Sequence, residues 1–138
     1  MKCEKLIDVI RRELQSPNPE KHFRKVRMYL ALGDIGGERA FDLLFRQLDQ
    51  EKGQESQQRR ILRAMGATKD PRAKSILIEH LRGRRHYIAA LDGLRYLGDS
   101  STVDVLEEEL RKDLSPYQRR MVAAAIAAIR AGDDHLSW

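Results

Sequence analysis

Aromatic residues make up only 6% of the 138 residues, cysteine occurs once, and no apolar run approaches the roughly 20 residues of a membrane-spanning helix. A membrane protein is therefore not expected. Cys3 has no second cysteine to pair with, which fits a reducing compartment. The opening stretch MKCEKLIDVI has no long apolar segment of the secretory-leader kind, so a cytoplasmic location is expected. The four histidines, His22, His80, His86 and His135, are never three or four residues apart, so no two share a helix face as metal ligands would. There is no GxSxG elbow, and the glycines form neither a GxGxxG nor a GxxxxGK[ST] phosphate loop. No catalytic residue, no cofactor and no metal are assigned, and a non-enzyme is expected.

Charge and periodicity are abundant instead. Charged residues are 34% of the chain and apolar ones 41%, proportions that suit helices with narrow apolar stripes and broad solvated faces. Four segments share one pattern: Ile7–Leu14, Phe41–Leu48, Lys74–Leu81 and Val103–Leu110 each carry apolar residues at their fourth and eighth positions. That spacing is one face of a helix. A second series, Ala31-Leu32-Gly33, Ala64-Met65-Gly66, Gly93-Leu94-Arg95 and Ala125-Ile126-Ala127, alternates with the first at intervals of about thirty residues. Turn residues punctuate both. Ser16-Pro17-Asn18-Pro19, Lys52-Gly53, Arg82-Gly83-Arg84 and Ser115-Pro116 fall inside hairpins, while Gly36-Gly37, Asp70-Pro71 and Gly98-Asp99-Ser100-Ser101 separate them. Alanines such as Ala31, Ala64, Ala89, Ala90 and Ala123 to Ala125 allow close approach of neighbouring helices. The pattern predicts an all-α fold, an α-solenoid or α–α superhelix of four helical hairpins at 2–36, 37–68, 69–98 and 99–134, in a single domain over residues 1–138. Leu32, Leu44, Leu48, Met65, Leu77, Leu81, Leu94, Leu106, Leu110 and Ile126 are its predicted core.

The stretch ALGDIGGERAFDLL from Ala31 to Leu44, repeated as AMGATKDPRAKSIL and GLRYLGDSSTVDVL, resembles the HEAT-like repeats of the phycobilisome-lyase type. Members of that family serve as scaffolds, adaptors, lyase subunits and, in a divergent branch, DNA-repair glycosylases, so the resemblance implies a solenoid without selecting a function. The chain departs from the pattern at Arg24, Lys25 and Lys74. Related helical-repeat hydroxylases bind iron through His-Glu pairs, and no His-Glu dipeptide occurs here. A glycosylase needs aromatic surfaces to hold a base, yet the one tryptophan is the terminal Trp138.

Charge is distributed by helix. The second helices of the hairpins, at 20–33, 55–66, 82–96 and 115–131, hold 14 basic and 3 acidic residues, whereas the first helices are acidic in balance, so the net +5 conceals two faces of opposite sign. Because second helices line the concave face of HEAT-like stacks, Arg24, Arg27, Arg59, Arg60, Arg63, Arg84, Arg85, Arg95, Arg119 and Arg120 are candidates for binding a protein partner with an acidic surface or tail. The expected role is a non-catalytic interaction scaffold or adaptor. Two alternatives remain: nucleic-acid binding through phosphate contacts without sequence preference, and a lyase-type subunit acting with a partner. Glu107-Glu108-Glu109 reads as a solvated helix face. Leu6, Val9 and Ile10 at one end, with Ile129, Leu136 and Trp138 at the other, are candidates for exposed stack ends and self-association.

Overall fold

The computed structural model describes residues 2–15 and 22–132, with side chains from Glu4 to Gln15 and from Lys25 onward. Among the described residues there are eight α-helices and no strand: α1 (Lys2–Gln15), α2 (His22–Ile35), α3 (Gly37–Gln50), α4 (Glu55–Ala67), α5 (Ala73–Arg82), α6 (Tyr87–Leu97), α7 (Val103–Leu110) and α8 (Pro116–Ala131). The Ser16–Pro19 turn lies outside the described residues.

Local chemistry sets the ends. Ser115 accepts from the Gln118 backbone N–H while the Gln118 side chain accepts from the Ser115 N–H, a reciprocal cap completed by Pro116 in the first turn of α8. Gly98 and Gly132 end α6 and α8 in left-handed conformations that cost glycine little. The expected first helices at 69–81 and 99–113 and the expected second helix at 82–96 are longer than α5, α7 and α6 respectively. Asp70-Pro71-Arg72 forms a turn ahead of α5, a 3-10 turn at Ser100–Thr102 precedes α7, and Arg84 and His86 take positive φ of 57° and 55°. That last geometry delays α6 to Tyr87, which leaves Arg84 and Arg85 in the α5–α6 turn and not on a second helix.

The even-numbered helices form a contiguous layer in which α2 packs on α4, α4 on α6 and α6 on α8. Each odd-numbered helix packs on the helix that follows it, and α1 also touches α3. The tightest seam is α4 on α6. A Cβ built at Gly66 would stand 2.0 Å from the Gly93 carbonyl oxygen, and one at Gly93 would stand 2.9 Å from the Leu62 carbonyl. Only glycine permits backbones this close.

Eight of the ten predicted core residues are buried, and Leu48 and Leu110 are partly buried against them. At the ends, Leu6 and Val9 are about half exposed, but Ile10 and Ile129 are buried. Ile10 lies on the inward stripe of α1 with Ile7 and Leu14, while Ile129 continues the Val122–Ile126 stripe of α8. Leu136 and Trp138 are outside the described residues. Of the alanine run in α8, Ala125 is buried while Ala123 and Ala124 are exposed, so only part of it serves close packing.

Candidate functional site

The layer of even-numbered helices carries a cleft of about 320 Å³ lined by Val26, Tyr29 and Leu30 of α2, Arg60 and Arg63 of α4, and Asp92 and Tyr96 of α6. Helical spacing explains why these residues meet. Val26 and Leu30 are one turn apart on α2, Arg60 and Arg63 one turn apart on α4, and Asp92 and Tyr96 one turn apart on α6. Arg63 Nε donates to Asp92 Oδ2 at 2.9 Å, a bond that fixes the guanidinium and ties α4 to α6. Its Nη1 and Nη2 form no hydrogen bond among the described residues, and Arg60, which is exposed, forms none at all there.

Beneath the cleft, Tyr29 and Tyr96 are buried. Burial pushes the Tyr29 phenol up, reinforced by the nearby Glu51 carboxylate, although the hydroxyl has no partner in hydrogen-bonding geometry. Glu51 is itself buried at the end of α3 and accepts from Lys25 Nζ at 2.6 Å, which compensates its charge. Lys25 is thus a bridge between α2 and the end of α3. Lys69 Nζ donates to the Tyr96 carbonyl, linking the turn after α4 to α6.

The predicted arginines divide into distinct settings. Arg27, Arg60 and Arg120 are exposed and without a hydrogen bond or ion pair among the described residues. Arg27 and Arg60 each stand five residues before the repeat positions Leu32 and Met65, so they hold one register on neighbouring helices. Arg59 pairs loosely with Glu55 at 3.9 Å. Arg84 lies over the Tyr87 ring at 5.9 Å, and Arg85 stands by the groove formed with Phe45, Gln58 and His80. Arg95 packs over Tyr96 at 5.0 Å. Arg119 turns away to donate to the Leu110 carbonyl at 2.7 Å and to the Lys112 carbonyl, capping the end of α7. The Arg24 side chain is outside the described residues.

One reading of the acidic residues changes. Glu109 is almost fully buried, accepting from Tyr87 Oη at 3.0 Å and from Lys112 Nζ. Glu107 pairs with Arg130 at 2.7 Å and Glu108 approaches Arg82, so this run is built into helix contacts and is not simply a solvated face. His86 stands just before α6 without a side-chain capping bond, bonds Gln58 Oε1 at 3.1 Å and stacks with His80. Its pKa is lowered, first by burial and then by the Arg59 charge. Among the described residues no three His, Cys, Asp or Glu side chains are grouped to hold a metal, and no helix is long and apolar enough to cross a membrane.

Sequence reading overlooked Arg72, the most heavily bonded arginine among the described residues. It donates from Nε and Nη2 to Asp70 at 3.0 and 2.8 Å, from Nη1 to Asp42 at 2.8 Å, and covers the Phe41 ring at 4.5 Å. Asp70 also caps the turn through the Arg72 N–H at 2.9 Å, and these contacts hold its carboxyl below the ordinary aspartate range. The turn between α4, which ends at Ala67, and α5, which begins at Ala73, is thereby locked to α3. Residues 57–83 match the PBS lyase HEAT-like repeat. The matched stretch begins in α4, crosses the Asp70–Arg72 turn and contains α5, so the HEAT-like repeat straddles two successive helix pairs and includes both Arg60 and Arg63. No curated protein and no solved structure matches the chain. An Asp two residues before an Arg in the repeat turn was visible in sequence, but its reach to Asp42 and Phe41 depends on the placement of α3.

Proposed function

We propose that the chain is a non-catalytic interaction module, a short stack of four HEAT-like hairpins whose even-numbered helices bind a partner with an acidic surface or tail. The observation that carries this reading is the set Arg27, Arg60 and Arg120: three exposed guanidiniums on α2, α4 and α8, none neutralised by a carboxylate among the described residues. Arginines that tie helices and turns of this molecule together are found paired, as Arg63 is with Asp92 and Arg72 with the buried Asp70. Unpaired arginine on a packed helical layer retains its full capacity for bidentate bonding to carboxylates. Support also comes from the HEAT-like repeat and from the order of packing, α2 on α4 on α6 on α8, with an odd-numbered helix on each. Nucleic acid is the less favoured partner, because Tyr29 and Tyr96 in the cleft are buried and, among the described residues of the even-numbered helices, only Tyr117 near Arg120 offers an exposed aromatic ring.

Replacing Arg27, Arg60 and Arg120 together by Glu tests the proposal. Binding to an acidic probe such as a glutamate-rich peptide, followed by fluorescence anisotropy, should fall by about tenfold or more, since hydrogen bonds to charged groups contribute about 1.5 to 3 kcal/mol each. The thermal midpoint should stay near that of the parent. Unchanged peptide binding, or a large loss of stability, would move the functional surface elsewhere.

A further inference from the structure

The α2–α4–α6 cleft adds shape to charge. Its volume of about 320 Å³ is room for one or two side chains, about ten waters by liquid volume. Arg63 is held in place through Nε, so its two Nη groups are presented without the entropy cost of ordering a free side chain. Arg60 stands one turn away. Two guanidiniums and the Asp92 carboxylate leave one net positive charge, which matches a single carboxylate better than a doubly charged phosphate. Val26 and Leu30, both partly exposed, form an apolar wall beside them.

We propose that this cleft seats an internal Asp or Glu side chain of an extended partner segment, its carboxylate shared by Arg60 and the Nη groups of Arg63, with the adjacent aliphatic side chain of that segment on Val26 and Leu30. The inference rests on the acidic-partner reading and makes it specific: the partner presents an acidic residue beside an aliphatic one. An internal residue fits because the cleft is open across three helices, so the segment continues past it.

Two labelled peptides of equal length and charge, blocked at both termini, provide the test: one alternating Glu and Leu, the other Glu and Gly. The Glu-Leu peptide should bind about tenfold more tightly, the equivalent of burying part of one leucine. Arg60→Gln, at an exposed position that leaves the fold intact, should weaken both peptides by about tenfold. Leu30→Asn should abolish the preference for Glu-Leu while leaving the Glu-Gly affinity as it was, and Val26→Asn serves the same purpose should Leu30→Asn lower the melting midpoint. Equal affinities for the two peptides, a preference that survives both asparagine variants, or tighter binding of a peptide with a free C-terminal carboxylate would overturn the cleft assignment. If charge reversal at Arg27 and Arg120 weakens binding but Arg60→Gln does not, the cleft assignment fails and the acidic-partner reading stands. Failure of both peptides to bind, or stronger binding of duplex DNA than of either, overturns both.

Discussion

Asp70 shows how much a single side chain does in this fold. It is buried, accepts from the Arg72 backbone and guanidinium, and so fixes the turn between α4 and α5 as well as the arginine that reaches Asp42 of α3. Its folded pKa is depressed mainly by the Arg72 hydrogen bond. A carboxylate depressed on folding stabilises the protein above its unfolded pKa, about 3.9, and that contribution drains away as pH falls through the lower folded value. Asp70→Asn should therefore lower the thermal midpoint at neutral pH, and the gap between variant and parent should close as the pH is taken below about 4. A gap that stays constant down to pH 2 would show that the effect of the substitution is not electrostatic. Glu109 offers a companion case in α7. Removing its charge in Glu109→Leu strips the Tyr87 hydroxyl of its acceptor in a buried setting, where an unsatisfied group costs about 1 to 3 kcal/mol. Urea denaturation of the variant measures it.

Among the elements, the seam between α4 and α6 is the most demanding. Helix propensity alone recommends alanine over glycine inside a helix by about 1 kcal/mol. At Gly66 the added Cβ would collide with the Gly93 backbone, which cannot yield as the end of a flexible side chain could. Gly66→Ala is accordingly expected to destabilise by about 1 to 3 kcal/mol or more, against its propensity, as overpacking does. An increase in stability on denaturant titration would show that α4 and α6 stand further apart. Leu77 of α5 is fully buried and lies against the same seam, within reach of a Cβ at Gly93. Leu77→Ala should cost about 2 to 5 kcal/mol in the same measurement. The spacing of Leu77, Leu44 and Leu106 announced burial. The spacing placed Gly66 at the end of a second helix but not against Gly93, because that contact depends on a residue 27 positions away.

At the scale of the whole molecule, stability and binding should respond differently to salt. Ion pairs such as Arg39–Asp8 and Arg130–Glu107 are exposed and contribute only about 0 to 1 kcal/mol each. Most of the stability resides in one apolar core that runs through all eight helices. Raising salt from about 0.05 to about 0.5 M shortens the Debye length to a few ångströms, which should leave the thermal midpoint little changed while weakening capture of a glutamate-rich peptide. A midpoint that falls steeply with salt would reassign the surface charges to stability. The amino-acid sequence alone determined that the chain is helical, where its apolar stripes lie and that α2, α4 and α8 carry an excess of basic residues, because 3.6-residue periodicity and turn chemistry are local properties. Only the tertiary structure decided which arginines are held by Asp92, Asp70 or a helix end and which have no partner among the described residues, because pairing depends on distances between helices that the spacing along a chain does not contain.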